Sequence, residues 1–333
     1  MKNFFDTKSE YIDDLKYKKF FFFGKELPFK LQVRLDKKFL SWKPQLIENL
    51  KIQSKVSGSL FDNTAIVAIF KNEPDIIEWI EYHKIIGITR FYLYDNESTD
   101  DAKEKLQPYI EDGTVVYHYV EGRCMQMPVY RDAVYRYKNN CKWLAIIDLD
   151  EYIVPVVKND INEVLKDFES YPAVGVNWLV FDSNGHQKRP KGLVLEEYTR
   201  VQKDCDKNIL NTHIKSIVNP KKVLYIRNPH FCHYKGNELA VNIDCKEIGD
   251  IQSFTNADNA FTSYVSIDKI RVNHYHTKSH EDYQNKIKLG FSDKNTERPK
   301  DDFRLDFCEF ANDYSVQKYI PQLKEKLFEK GLV

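Results

Sequence analysis

Thr64-Ala-Ile-Val-Ala-Ile-Phe70 is a continuous apolar, β-branched run of the kind found in strands buried on both faces, and Lys71-Asn-Glu-Pro74 follows it directly. Asn72 offers a polar cap and Pro74 sits near a first helical position. Ile76, Trp79, Ile80 and His83 then recur at i, i+3, i+4 and i+7, so a helix is expected to about Ile86, where Gly87 stops it. A buried strand feeding an amphipathic helix through a short polar turn is the β-α unit of a parallel sheet.

The same unit recurs downstream. Arg90-Phe-Tyr-Leu-Tyr94 is a second strand, followed by the polar turn Asp95 to Asp101 and a helix from about Ala102 that Pro108 should shorten. Ser98 and Asp101 have capping-box spacing. Thr114 to Val120 reads as a third strand and Pro128 to Asn139 as a helix. Lys142-Trp-Leu-Ala-Ile-Ile147 is again a buried strand, and it ends in Asp148-Leu-Asp-Glu151. Val174 to Phe181 and Arg271-Val-Asn-His-Tyr-His276 are later strands, Ser279-His-Glu-Asp282 is a helix N-cap, and the sequence from about Tyr314 is a closing helix. The expected fold class is α/β, a mixed, mostly parallel, Rossmann-like sheet flanked by helices in a single large domain. An N-terminal extension would span 1–60, the main domain 61–290 with its halves meeting near 155, and a C-terminal helical tail 291–333.

The 333 residues carry 50 Lys+Arg against 50 Asp+Glu, so no global field gathers nucleic acid and no such partner is expected. Only 12 Gly and 12 Pro argue against a disordered or linker-rich chain. No apolar stretch reaches the ~18 residues that span a bilayer, Phe20 to Phe23 being flanked by Lys18, Lys19 and Lys25. The opening Met-Lys-Asn-Phe-Phe-Asp lacks the pattern of a secretory signal. A cytoplasmic protein is expected, and Lys16 to Phe23 suits either a docking arm or peripheral contact with an anionic membrane at its inner face. The six cysteines form no C-x-x-C pair and read as reduced thiols.

In parallel sheets ligands sit at the carboxyl ends of strands, so Lys71-Asn-Glu73, Asp95 to Asp101 and Asp148 to Glu151 should share one rim. Strand alternation would send Asp148 and Asp150 to one face and Leu149 to the other. Two converging carboxylates suit Mg²⁺ or Mn²⁺, ions that complete their shells with water and substrate phosphates, which points to a diphosphate substrate. The alternative is an acidic strand-end turn. Asp95 could accept from a nucleotide's base or ribose, or bond its own backbone; Glu73 faces the same choice, with a helix-start charge as its alternative. No G-x-G-x-x-G, P-loop or G-x-S-x-G motif occurs.

Six ordered motifs between Ala65 and about Gly290 carry a resemblance: Ala65 to Glu73, Glu78-Trp-Ile-Glu-Tyr-His83, Tyr94 to Asp100, Ile147-Asp-Leu-Asp-Glu-Tyr152, Asn177 to Phe181 and Asn273-His-Tyr-His-Thr-Lys-Ser279. Together they resemble glycosyltransferase family 92, the former domain of unknown function 23, and related family-2-like transferases of the GT-A fold. The resemblance implies a metal-dependent, inverting enzyme that uses Mn²⁺ (or Mg²⁺) and moves galactose or a similar hexose from a UDP-sugar. The acceptor would be an oligosaccharide or lipid-linked glycan, in synthesis of a surface polysaccharide such as capsule or lipopolysaccharide. Residues 61–155 would bind the nucleotide sugar and 156–290 the acceptor. By similarity Glu73 and Asp95 meet uridine, Asp148 the ribose and metal, and Asp150 the metal directly. His276 would be the later metal ligand, with His274 on the same strand face and the choice between them open. Arg131 and Lys278 would contact phosphate. Asp182, at a strand end beside Ser183-Asn-Gly-His186, is the leading candidate for the base that deprotonates the acceptor, ahead of Asp258 and Glu238. The competing readings are a metal-dependent nucleotidyltransferase or pyrophosphohydrolase and a non-catalytic carbohydrate-binding protein.

Overall fold

The computed structural model describes residues 62–226, 228–248, 260–290, 298 and 306–331, together with the backbone of four strands, Phe5–Ile12, Leu15–Phe22, Lys25–Glu26 and Lys51–Ile52. The first half alternates as its apolar pattern demands: β1 (Asp62–Phe70), α1 (Ile76–Ile85), β2 (Arg90–Asp95), α2 (Ala102–Glu111), β3 (Val115–Tyr119), α3 (Gln126–Tyr137) and β4 (Cys141–Ile146). β1 is central, parallel to β2 on one side and β4 on the other, and β3 extends the sheet beyond β2. Its alternate residues enter two apolar layers. Ile66 and Ala68 meet Trp79 and Ile80 of α1, while Ala65, Val67 and Ile69 meet Val129, Tyr130 and Ala133 of α3. Each large apolar side chain buried this way contributes roughly 1.5–3 kcal/mol.

The second half adds β5 (Glu151–Pro155), β6 (Ala173–Val180), β7 (Ile214–Val218) and β8 (Ile270–His274). β7 lies antiparallel between β4 and β6. β8 runs parallel to β6 and antiparallel to β5, with His274 opposite Glu151. Thus the strand that follows the Asp148–Asp150 turn is zipped to the one that ends in His274, and the two halves form a single mixed sheet. α4 (His280–Leu289) starts with the expected capping box between Ser279 and Asp282. The C-terminal segment is more than a tail: Phe310–Asn312 pairs with Arg200–Gln202, and α5 (Ile320–Phe328) buries Leu323 and Leu327 against α1.

Two local expectations are corrected. α2 runs through Pro108 to Glu111, because Leu106, Tyr109 and Ile110 are anchored in the core and outweigh one lost backbone bond. Ser98 and Asp101 form no capping box; the Ser98 hydroxyl accepts from Asn72 N and Thr99 N donates to the Asn72 side chain, tying this turn to the end of β1. In the N-terminal extension Phe5–Ile12, Leu15–Phe22 and Lys25–Glu26 form an antiparallel sheet, and Lys51–Ile52 pairs with β3. The membrane contact expected of Lys16 to Phe23 depends on side chains outside the described residues. Among the described residues no helix is long and apolar enough to cross a membrane.

His83 bolts α1 to β5. Its Nδ1 lies 2.8 Å from Trp79 O, and Ile153 N donates to Nε2 at 3.2 Å, so Nε2 carries no proton and the ring is neutral. Burial drives its pKa down to about 3, below the ordinary 6.5. An unfolded imidazole takes up its proton first as pH falls, so the stability this ring confers is present above about 6.5 and is lost progressively toward about 3. Thermal midpoints across that range should therefore fall less steeply in His83→Gln than in the wild type. Parallel slopes would remove His83 from the acid response.

Candidate functional site

The carboxyl ends of β1, β4 and β6 open on a cleft of about 650 Å³, within the ~300–1,000 Å³ typical of small-molecule sites. Two of the three expected rim clusters meet there, Asn72 and Glu73 from the turn after β1 and Asp148 and Asp150 from the turn after β4; of Asp95 to Asp101 only Asn96 lines it, and His274 and His276 join from the end of β8.

β4 stops at Ile146, so Asp148-Leu-Asp150 occupies a turn closed by Glu151 N to Asp148 O at 3.1 Å. Alternation no longer governs it, and the two carboxylates face one cleft with different partners. Asp148 accepts from Lys215 Nζ at 2.7 Å, Tyr130 Oη at 2.7 Å and Gln126 Nε2 at 2.9 Å. Lys215, on β7, is 1% exposed and lies 3.3 Å from Glu151 as well. Loss of water is the largest influence on Asp148 and would raise its pKa, but Lys215 and the other donors outweigh it and hold the carboxyl low. Burial likewise pulls Lys215 down, and Asp148 and Glu151 more than reverse it, so the lysine stays charged. Burial pushes Glu151 up to about 8.

Asp150 turns instead toward the histidines. The ligand atoms of Asp150, His274 and His276 all lie within 4.8 Å of one another, with His274 Nε2 3.6 Å from Asp150 Oδ2. The β5–β8 pairing sets this up, reinforced by Tyr275 N donating to Asp150 O at 2.9 Å. His274 and His276 flank buried Tyr275, and the Trp178 ring packs on His274 with centroids 4.2 Å apart. Lys286, on α4, bonds the Asp150 carboxylate and donates to His276 O at 2.8 Å. Desolvation would raise Asp150, yet Lys286 and His274 together hold it well below the usual carboxylate range.

Two imidazole nitrogens and one carboxylate oxygen at this separation fit a divalent transition-metal ion. Among the described residues the side chains that come together at this spacing are Asp150, His274 and His276; of the expected set, Asp148 lies beside them in the same cleft. Asp148 is instead held by Lys215, Tyr130 and Gln126.

The remaining candidates divide. Lys278 is in the cleft but is 7% exposed; its Nζ is 3.0 Å from Glu73 Oε1 and also bonds Asp75, whose other oxygen bonds Arg189. Burial raises the Glu73 carboxyl against the pull of Lys278. Asp95, expected to meet uridine, is 3% exposed and takes the turn role, accepting from Ser98 N at 2.7 Å and Tyr117 Oη at 2.5 Å; its neighbour Asn96 reaches the cleft. Arg131 stacks on Tyr225 and donates to its hydroxyl at 2.9 Å, which ties α3 to Val223–Ile226 and leaves it off the cleft wall. Asp182 does not line the cleft. It is 1% exposed, accepts from Asn184 N at 2.8 Å and Phe307 N at 2.9 Å, pairs with Arg200, and organises a loop away from the cleft. Glu238 is exposed and paired with Lys222, and Asp258 falls outside the described residues.

The sequence reading passed over Lys215, Arg189 and Lys286. Lys215 did leave a signal, a lone charge inside the apolar Ile214-Lys-Ser-Ile-Val218, which calls for a buried counter-charge.

The sequence model of glycosyltransferase family 92 matches residues 67–304. A glycosyltransferase family 92 protein of Oryza sativa subsp. japonica is 30% identical over 185 residues, covering 54% of this chain and 31% of that one. The galactan beta-1,4-galactosyltransferase GALS2 of Arabidopsis thaliana is 33% identical over 106 residues, covering 29% of this chain and 20% of its own. The chain spans about a third of the length of the plant family 92 relatives it matches. Among solved structures, S. aureus TarS 1-349 aligns over 68% of this chain and 64% of that one, at 16% identity and a TM-score of 0.32.

Proposed function

Because this chain belongs to glycosyltransferase family 92, we propose that its cleft binds a UDP-sugar, UDP-galactose or a near relative, and transfers the hexose to a glycan acceptor. The observation that carries this reading is the Asp150–His274–His276 triad, which lies beside Asp148 in one cleft inside the matched region. The galactan galactosyltransferases among the relatives support galactose as the transferred sugar. Inversion at the anomeric carbon and an oligosaccharide or lipid-linked acceptor from a surface polysaccharide follow the resemblance to the family.

A divalent ion held by the triad would neutralise charge on the diphosphate as the sugar–phosphate bond breaks. The chain's own groups prepare for this. Lys215, Tyr130 and Gln126 fix Asp148 at the rim to accept from a ribose hydroxyl, and the Glu73–Lys278 pair lines the wall below β1. An acceptor hydroxyl would lose its proton to a carboxylate that lines the cleft. Two imidazole ligands favour Mn²⁺ over Mg²⁺, whose preference is for an all-oxygen shell.

Thermal unfolding with UDP, GDP, CDP or ADP, each with Mn²⁺ or Mg²⁺, tests the reading. The midpoint should rise most with UDP and Mn²⁺, by the equivalent of ~2.7 kcal/mol at a hundredfold excess over Kd, and the rise should vanish in His274→Ala. No shift with any nucleotide, or an equal shift in His274→Ala, would count against it.

A further inference from the structure

Lys278, Arg189 and Lys286 line the cleft and Lys215 lies behind Asp148, each paired with carboxyl groups among the described residues, and they are not held alike. Lys215 lies between Asp148 and Glu151, Lys278 between Glu73 and Asp75, and Arg189 between Asp75 and Asp282. Each lies against two carboxyl groups. Lys286 has one among the described residues, Asp150, and that carboxylate is the anionic member of the metal triad. Its ammonium also lies 3.4 Å from His276 Nδ1, so it sits against two of the three triad residues at once.

An ammonium is a compact point charge, and while it stays on Asp150 it repels a divalent ion that binds the same carboxylate. The helix need not move for the lysine to leave. The start of α4 is fixed by the Ser279–Asp282 capping box and by Arg189 on Asp282, whereas the Lys286 side chain is 25% exposed and borders the open cleft.

We propose that Lys286 is the resident counter-cation of the triad, which holds Asp150 until metal arrives and then swings onto the diphosphate of the donor. This rests on the triad being the metal site. Metal binding alone strips Lys286 of its carboxylate, whereas metal and nucleoside diphosphate together give it a new anion. The two ligands therefore bind more cooperatively than direct contact between metal and diphosphate alone would make them, and the lysine is the source of that added coupling.

The test reads Mn²⁺ affinity, by calorimetry or by the paramagnetic resonance signal of free Mn²⁺, with and without UDP. Lys286→Met should bind Mn²⁺ alone about tenfold more tightly than the wild type, and its gain on adding UDP should shrink. Lys286→Arg should restore the weak affinity. In the wild type, UDP should strengthen Mn²⁺ binding and uridine should not, a comparison that needs no variant to fold. Equal Mn²⁺ affinity in Lys286→Met and wild type, or equal gains from UDP and uridine, would overturn the proposal. Asp150→Asn separates the two levels: if it binds Mn²⁺ as well as the wild type, the triad reading itself falls. If it loses Mn²⁺ while Lys286→Met is unchanged, only the role of the lysine falls.

Discussion

Asp150→Ala should lower turnover by about 10³-fold or more while costing less folding stability than the loss of about 3 kcal/mol expected for Asp148→Ala. Asp150 is the one carboxylate of the triad, so its loss leaves two imidazoles and removes the anionic ligand that would hold a divalent ion. The fold has little at stake there. Lys286, the partner left behind, is 25% exposed and can turn to water, and the β5–β8 pairing that carries the site is made by backbone. Turnover and chemical denaturation of the same preparation give both numbers. Wild-type turnover in a folded Asp150→Ala protein would remove the metal assignment, and a large stability loss would recast Asp150 as a structural residue.

Much of this could be read from local pattern. Thr64 to Phe70 announces a strand buried on both faces, Ile76 to His83 a helix, and Ser279 its capping box, because each follows from the chemistry of neighbours in sequence. The shared rim followed from parallel topology alone. What escaped depended on partners far away in the chain. Asp148 and Asp150 were expected to converge on one ion, but a turn placed the first beside Lys215 and the second beside His274, respectively 67 and 124 residues on. Lys286 looks in sequence like any helix-surface lysine, and only the packing of α4 over the cleft distinguishes it. Asp182 and Arg131 lie off the cleft lining for the complementary reason. Their charges and positions suited a ligand, but Arg200 with Phe307 N in one case, and Tyr225 in the other, engaged them first.

The two aspartates of the motif should therefore part company under mutation. Asp148→Ala leaves Lys215 at 1% exposure with Glu151 as its one remaining ion-pair partner among the described residues, and removing one partner of a buried pair typically costs about 3–5 kcal/mol. Glu151, raised to about 8 by burial, can ionise to take up part of the charge, which sets the expected loss near the lower end, about 3 kcal/mol. Denaturant midpoints at neutral pH would measure it. Adding Lys215→Met should then restore stability, because the stranded cation is gone, whereas the same change in the wild type strands Asp148 and destabilises. The pH dependence has a definite sign. Asp148 is held below its ordinary 3.8, so the stability it provides is present above that value and is lost as pH falls through its lowered folded pKa. The gap between wild type and Asp148→Ala should close in acid. A single variant as stable as the wild type, or a double variant weaker than Asp148→Ala alone, would show that Lys215 is held by something other than this pair. Should both aspartate variants lose turnover but only Asp148→Ala lose stability, the motif divides its labour: Asp148 is a pillar that Lys215 seats in the fold, and Asp150 is free to exchange one cation for another.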